Sequence, residues 1–177
     1  MQELRSSIWL VADFFFPTHR ISGRVNVRTQ KLIEQLTDTT TDYLAIEDAY
    51  ISSILNPAAI TTSYEEMLMR KSNVTCVIVT AQLQGVMRDQ SYGNYYYGVT
   101  KSHVYISIPS FEVEGNLRIP GKTNLRTFLA PTGNPFVILE DGTLKSPIRP
   151  DVTFTADIIL VNKDHIGAFC KKEAQAE

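Results

Sequence analysis

Residues 43–50 read YLAIEDAY and residues 136–143 read FVILEDGT. Each is an aromatic residue, three apolar residues and a Glu-Asp pair closed by a small residue, in the same order 93 positions apart. A self-similarity of this kind constrains a fold more than any single motif, because each copy must be a unit that the other can resemble. Upstream, PTHRISGRVNV (17–27) aligns without gaps to PSFEVEGNLRI (109–119). Pro17 falls on Pro109, Ile21 on Val113, Gly23 on Gly115, Val25 on Leu117 and Val27 on Ile119. Alternate positions are apolar, as a half-buried strand requires. After one gained residue, KLIEQL (31–36) meets NLRTFL (124–129). The leucines at i and i+4 in each, Leu32 and Leu36 or Leu125 and Leu129, suit one or two helical turns. IWLVADFFF (8–16) matches SHVYISI (102–108) as strand against strand, and VIVTAQLQGV (77–86) resembles DIILVNKDHI (157–166) with a shift.

The chain therefore reads as two tandem copies of one unit: strand, strand with a central glycine, helical turn, strand ending Glu-Asp, and a last bent strand. Short strands rich in β-branched and aromatic residues, separated by turn residues, favour an antiparallel sheet or barrel. A glycine in mid-strand, as at Gly23 and Gly115, marks the sharp bend that a small barrel needs. The copies differ after the acidic pair. The first carries AYISSILNPAAITTSYEEMLMRKS (49–72), where Ser63 and Glu66 form a capping box that predicts a helical insertion over 63–71. The second has GTLKSPIRP (142–150), with Pro147 and Pro150 setting a tight connection. The expected fold class is all-β with short helical insertions, built as two tandem small antiparallel β-barrels. The first spans 1–90, a Tyr/Gly linker follows at 91–101, the second spans 102–170, and 171–177 is a polar tail.

Composition narrows the function classes. With 44% hydrophobic and 20% charged residues, the 177-residue chain buries a core rather than staying disordered. A net charge of −2 supplies no global field for nucleic acid or an anionic membrane. The apolar run near the N-terminus is interrupted by Asp13 and is too short to span a bilayer, so the expectation is a cytoplasmic protein with no membrane contact. Cys76 and Cys170 lie in strand-like contexts without CxxC spacing, which points to two buried structural thiols.

The pattern HVYISIPSFEVEGNLRI…FVILEDGT…DIILVNKDHIGAF resembles the Sm-like small β-barrel superfamily, in both copies and over most of the chain. It is also similar to a group of bacterial proteins that carry such barrels singly or doubled and to which no activity is assigned. The resemblance implies a strand, a strongly bent strand with a central glycine, a strand ending in acidic residues and a closing strand. The superfamily's N-terminal helix is not evident here, and a helical turn (29–36 and 123–129) follows the bent strand. Its RNA-reading signature, an Asp-x-apolar-Asn before the third strand with an Arg/Lys-Gly after the fourth, is not reproduced. Asn134 precedes Phe136, but Asp42 takes the comparable place in the first copy.

No catalytic constellation stands out. Adjacent residues on a strand face opposite sides, so Glu47-Asp48 and Glu140-Asp141 do not converge as an acid/base pair. His19, His103 and His165 lack metal-ligand spacing, and no phosphate loop or nucleophile elbow is present. The expectation is no enzyme, no cofactor and no metal. Arg20, Arg24 and Arg28 share a parity and, with Lys31, form a candidate patch for nucleic acid or an acidic partner. The second copy replaces Arg20 and Arg24 with Glu112 and Asn116, which argues against a shared nucleic-acid role. Tyr92, Tyr95, Tyr96 and Tyr97 of the linker are candidate partner or seam contacts. So are Trp9, Phe14 and Phe16, because 8–16 is apolar on both parities and its second face must meet the neighbouring copy, the inserted helix or another chain. The leading function is a binding or assembly module acting through protein–protein contacts, homo-oligomeric or part of a larger complex; an RNA-binding Sm-like protein is the alternative.

Overall fold

The structure, a computed structural model, describes residues 8–80, 85–87, 99–120, 124–131 and 133–171. Ten strands make up the described β-structure: β1 Trp9–Phe15, β2 His19–Asn26, β3 Tyr43–Ser53, β4 Asn56–Arg70, β5 Cys76–Val79, β6 Val99–Ile108, β7 Phe111–Pro120, β8 Phe136–Lys145, β9 Thr153–Asn162 and β10 Ala168–Lys171. Two short helices, α1 (Leu32–Thr37) and α2 (Leu125–Leu129), follow β2 and β7. Single 3-10 turns at Lys71–Asn73 and Lys163–His165 precede β5 and β10. Among the described residues no helix is long and apolar enough to cross a membrane.

All pairings are antiparallel, and the strands lie in one open sheet in the order β10-β6-β7-β8-β9-β5-β1-β2-β3-β4. The run β5-β1-β2-β3-β4 repeats as β10-β6-β7-β8-β9, so the two halves connect their strands in the same order. Detail repeats with topology. Gly23 and Gly115 sit where the register shifts, between Ser22 and Arg24 in one half and between Glu114 and Asn116 in the other. Opposite them Asp48 and Asp141 adopt left-handed backbone, with φ of 47° and 49°. Such a bulge bends its strand and increases the local twist. The Lys71 N–H donates to the Asp42 carbonyl and the Lys163 N–H to the Pro135 carbonyl, each at 2.9 Å.

The structure corrects four readings from the sequence. The expected helix at 63–71 is strand: β4 runs unbroken to Arg70 and pairs with β3 from Tyr43↔Arg70 to Ser53↔Asn56. Ser63 lies opposite Tyr50 rather than capping a helix. A capping box stabilises by about 1 kcal/mol, and a cross-strand ladder of this length outweighs it. The apparent insertion vanishes with the helix. The offset between copies is 93 at Asp48/Asp141 and 92 at Arg70/Asn162, so the hairpins are nearly equal in length. Accordingly β5 corresponds to β10, and DIILVN of β9 corresponds to EEMLMR of β4, not to the segment 77–86. Finally, β6 begins at Val99, inside the segment read as linker, and β10 extends to Lys171.

The two halves meet where β5 pairs with β9: Cys76↔Val161, Val77↔Leu160, Ile78↔Ile159, Val79↔Ile158. Every residue of β5 is buried, as is Ile158–Asn162. A strand covered on both faces loses the polar alternation, which is why these two segments are continuous apolar runs. Alternate side chains enter different cores. Val77, Val79, Ile158 and Leu160 join Leu10, Phe14 and Ile46 in the first core. Cys76, Ile78, Ile159 and Val161 join Ile106, Phe111 and Leu139 in the second. Phe15 crosses over as well, making edge-on ring contacts at 5.3 Å with Phe111 and 5.1 Å with Phe154. The second face of β1 is thus covered at Phe15 by the other half of the same chain, while Phe14 and Phe16 fill the first core. Asn162, also buried, donates from Nδ2 to the Val74 carbonyl at 2.9 Å and from its backbone N–H to Thr75 at 3.0 Å.

Candidate functional site

The arginine patch is less basic than its sequence suggests. Arg20 and Arg24 lie on one face of β2, but each is engaged. Arg20 Nε sits 3.4 Å from Asp13 and donates to Ser22 Oγ at 3.0 Å, and Ser22 in turn donates to Asp13. The Arg20 guanidinium also lies 5.6 Å above the Phe154 ring of the other half. Arg24 pairs with Asp48 at 2.9 Å and Glu47 at 3.7 Å, and covers the Trp9 indole at 4.6 Å. Arg28 does not continue the stripe, because β2 ends at Asn26; its backbone N–H donates to the Asn26 side chain at 3.1 Å. Lys31 stands at the N-cap of α1, its N–H donating to the Glu34 carboxylate at 2.9 Å.

The acidic pairs are paired with cations rather than with each other. In the second half Arg118 Nε donates to Glu140 at 2.7 Å, and Lys101 lies 3.6 Å from both Glu140 and Asp141. The repeated Glu-Asp segment is therefore a bulge with its charge partner, and Asp tolerates left-handed backbone better than most residues. Ala49 and Gly142 follow because that point packs against Gly23 and Gly115, leaving no room for bulk.

The histidines stay apart. His19 stacks on Phe16 at 4.5 Å, and partial burial lowers its pKa from the ordinary 6.5. His103 contacts Glu114 at 3.1 Å, and His165 Nε2 contacts the Ser72 carbonyl oxygen at 2.8 Å. Among the described residues no group of three or more His, Cys, Asp or Glu side chains could hold a metal ion. Cys76 is fully buried, which pushes its thiol well above the ordinary range, whereas Cys170, expected to be buried as well, is exposed on β10. Tyr92, Tyr95, Tyr96 and Tyr97 lie outside the described residues.

Sequence reasoning missed the two outer edges of the sheet. No described strand pairs with the outer side of β4 or of β10. β4 is fifteen residues long and exposes Ile60, Tyr64 and Leu68, next to Tyr43 of β3. The contrast with the other half is sharp: Leu68 is 65% exposed where its counterpart Leu160 is 0%, and Tyr43 is 47% exposed where Phe136 is 5%. The signal was present in ITTSYEEMLM, but the capping box diverted it to a helix. At the opposite edge Phe169 is half-buried, while Ala168, Cys170 and Lys171 are exposed. Comparison with protein-family models, curated proteins and solved structures finds no match to this chain.

Proposed function

We propose that the chain is a non-enzymatic assembly module of the Sm-like kind, acting through protein–protein contacts made by its outer sheet edges. The observation that carries this reading is β4, a fifteen-residue edge with exposed Ile60, Tyr64 and Leu68. A long strand edge that exposes apolar side chains is a template for another strand, and stable proteins cover or blunt such edges. The charged groups on the outer face support the same reading: Arg20 and Arg24 are held by carboxylates of their own sheet, so the alternative role in RNA binding draws little support from them. The test is the size of the tagged chain in a native cell extract. The assembly reading expects a particle well above the 19.9 kDa of one chain. Elution at the monomer size in both extract and pure solution would reject it.

A further inference from the structure

We infer that α2 and the inward face of β10 form a docking site for a short peptide of a partner protein, one carrying two adjacent apolar residues beside a carboxylate. The first half shows what such a site holds. There Gly85, Val86 and Met87 lie against α1: the Ile33 N–H donates to the Val86 carbonyl at 3.0 Å, and Val86 and Met87 are buried in the first core. Gly85 is seated so closely that a Cβ on it would lie 3.1 Å from Leu10 Cδ1 and 3.2 Å from Val27 Cγ2. With that segment in place Leu32, Leu36 and Lys71 are all buried.

In the second half the same surface is only partly covered. Leu125 and Leu129 are the counterparts of Leu32 and Leu36, Lys163 of Lys71 and Arg126 of Ile33. No residue of α2 is buried, and among the described residues no backbone carbonyl meets Arg126 as Val86 meets Ile33. Phe128 and Phe169, both partly buried with ring centroids 6.2 Å apart, give this surface an apolar floor. Lys163 Nζ lies 5.3 Å from the centre of the Phe128 ring and donates to the Phe128 carbonyl at 2.9 Å. Lys171 has the parity of Phe169 and is exposed. Across 124–131 and 163–171 the cations Arg126, Lys163 and Lys171 outnumber a single carboxylate, Asp164. The floor suits a pair of side chains like Val86 and Met87, and the cationic rim suits an acid beside them; such complementarity fixes orientation and speeds encounter. The site uses the face of β10 rather than its free edge, so it does not rest on the assembly reading.

The test is fluorescence anisotropy of a fluorophore-tagged synthetic peptide, Glu-Gly-Val-Met-Asp, titrated with the purified full chain. Saturable binding is expected, lost when Val-Met in the probe becomes Ser-Ser. Phe128→Ala should weaken it roughly tenfold, the loss typical of truncating an aromatic anchor. Lys171→Glu, at an exposed position, should weaken the acidic probe and favour Lys-Gly-Val-Met-Lys in its place. Melting temperature and far-UV circular dichroism show whether each variant is folded; should Phe128→Ala unfold, the charge exchange at Lys171 decides alone. No saturable binding of the acidic probe to the unaltered chain overturns the inference, whether the chain itself fills the site or nothing does. Binding that neither Phe128→Ala nor Lys171→Glu alters overturns it as well, because the probe then sits elsewhere. Neither result bears on the particle size, which tests the sheet edges separately.

Discussion

Gly23 is the residue on which the bent strand turns. A Cβ placed there would overlap the Cγ2 of Ile46, a fully buried side chain, and lie 3.0 Å from the Glu47 carbonyl oxygen. At Gly115 the nearest atoms are Leu139 Cβ at 3.1 Å, Gly142 Cα at 3.2 Å and the Glu140 carbonyl oxygen at 3.3 Å. Neither site needs glycine for its dihedral angles; both need it for space. Overpacking of this kind costs about 1–3 kcal/mol, so Gly23→Val and Gly115→Val should each lower the denaturant midpoint, and an unchanged midpoint for both would refute the close approach. His19 makes a second prediction. Its folded pKa is lowered, so the neutral ring is favoured in the native state and the folded protein binds fewer protons than the unfolded chain. Stability is then fully present above the unfolded value of 6.5 and declines as pH falls through that value towards the lower folded one. His19→Gln should flatten that part of a stability–pH curve, and a curve unchanged in shape would contradict it. Both glycines and both Glu-Asp pairs were legible in the sequence, because a bulge forces the same residue types to recur. The ion-paired state of Arg20 and Arg24 was not. Strand parity gave their face but not the carboxylates of β1 and β3 that meet them.

The elements show where local signals mislead. Ser63 and Glu66 at capping-box spacing are a real helix-start pattern, yet the segment pairs with β3 along its length. If β4 is strand, Ser63→Ala removes no cap and should change stability by less than about 0.5 kcal/mol, as surface substitutions do. A loss near 1 kcal/mol would argue for the helix. The leucine spacing predicts α1 because Leu32 and Leu36 are buried together on the first core. The same spacing in α2 gives only partial burial, since burial there depends on what arrives from beyond the helix. The strand run at 77–79 resembles β9 rather than its true counterpart β10 because both β5 and β9 are doubly covered and so equally apolar; hydrophobicity alone does not distinguish them.

At the scale of the whole molecule, the repeated strand order was legible and the single sheet was not. Nothing in either copy announces that β5 of one pairs with β9 of the other, because that contact joins residues about eighty positions apart in two similar apolar strands. Its consequence is that each core is completed by the other half: Phe136, Ile158 and Leu160 in the first, Phe15, Cys76 and Ile78 in the second. Neither half keeps its core when the other opens, so the two should unfold together rather than as independent domains. Trp9, the only tryptophan, reports on the first half, and amide exchange of β7 and β8 reports on the second. The deciding measurement is an equilibrium denaturant titration of the folded chain followed by both probes. Interleaved cores predict coincident transitions with one midpoint; two separated midpoints, with one half still protected after Trp9 has been exposed, would contradict them.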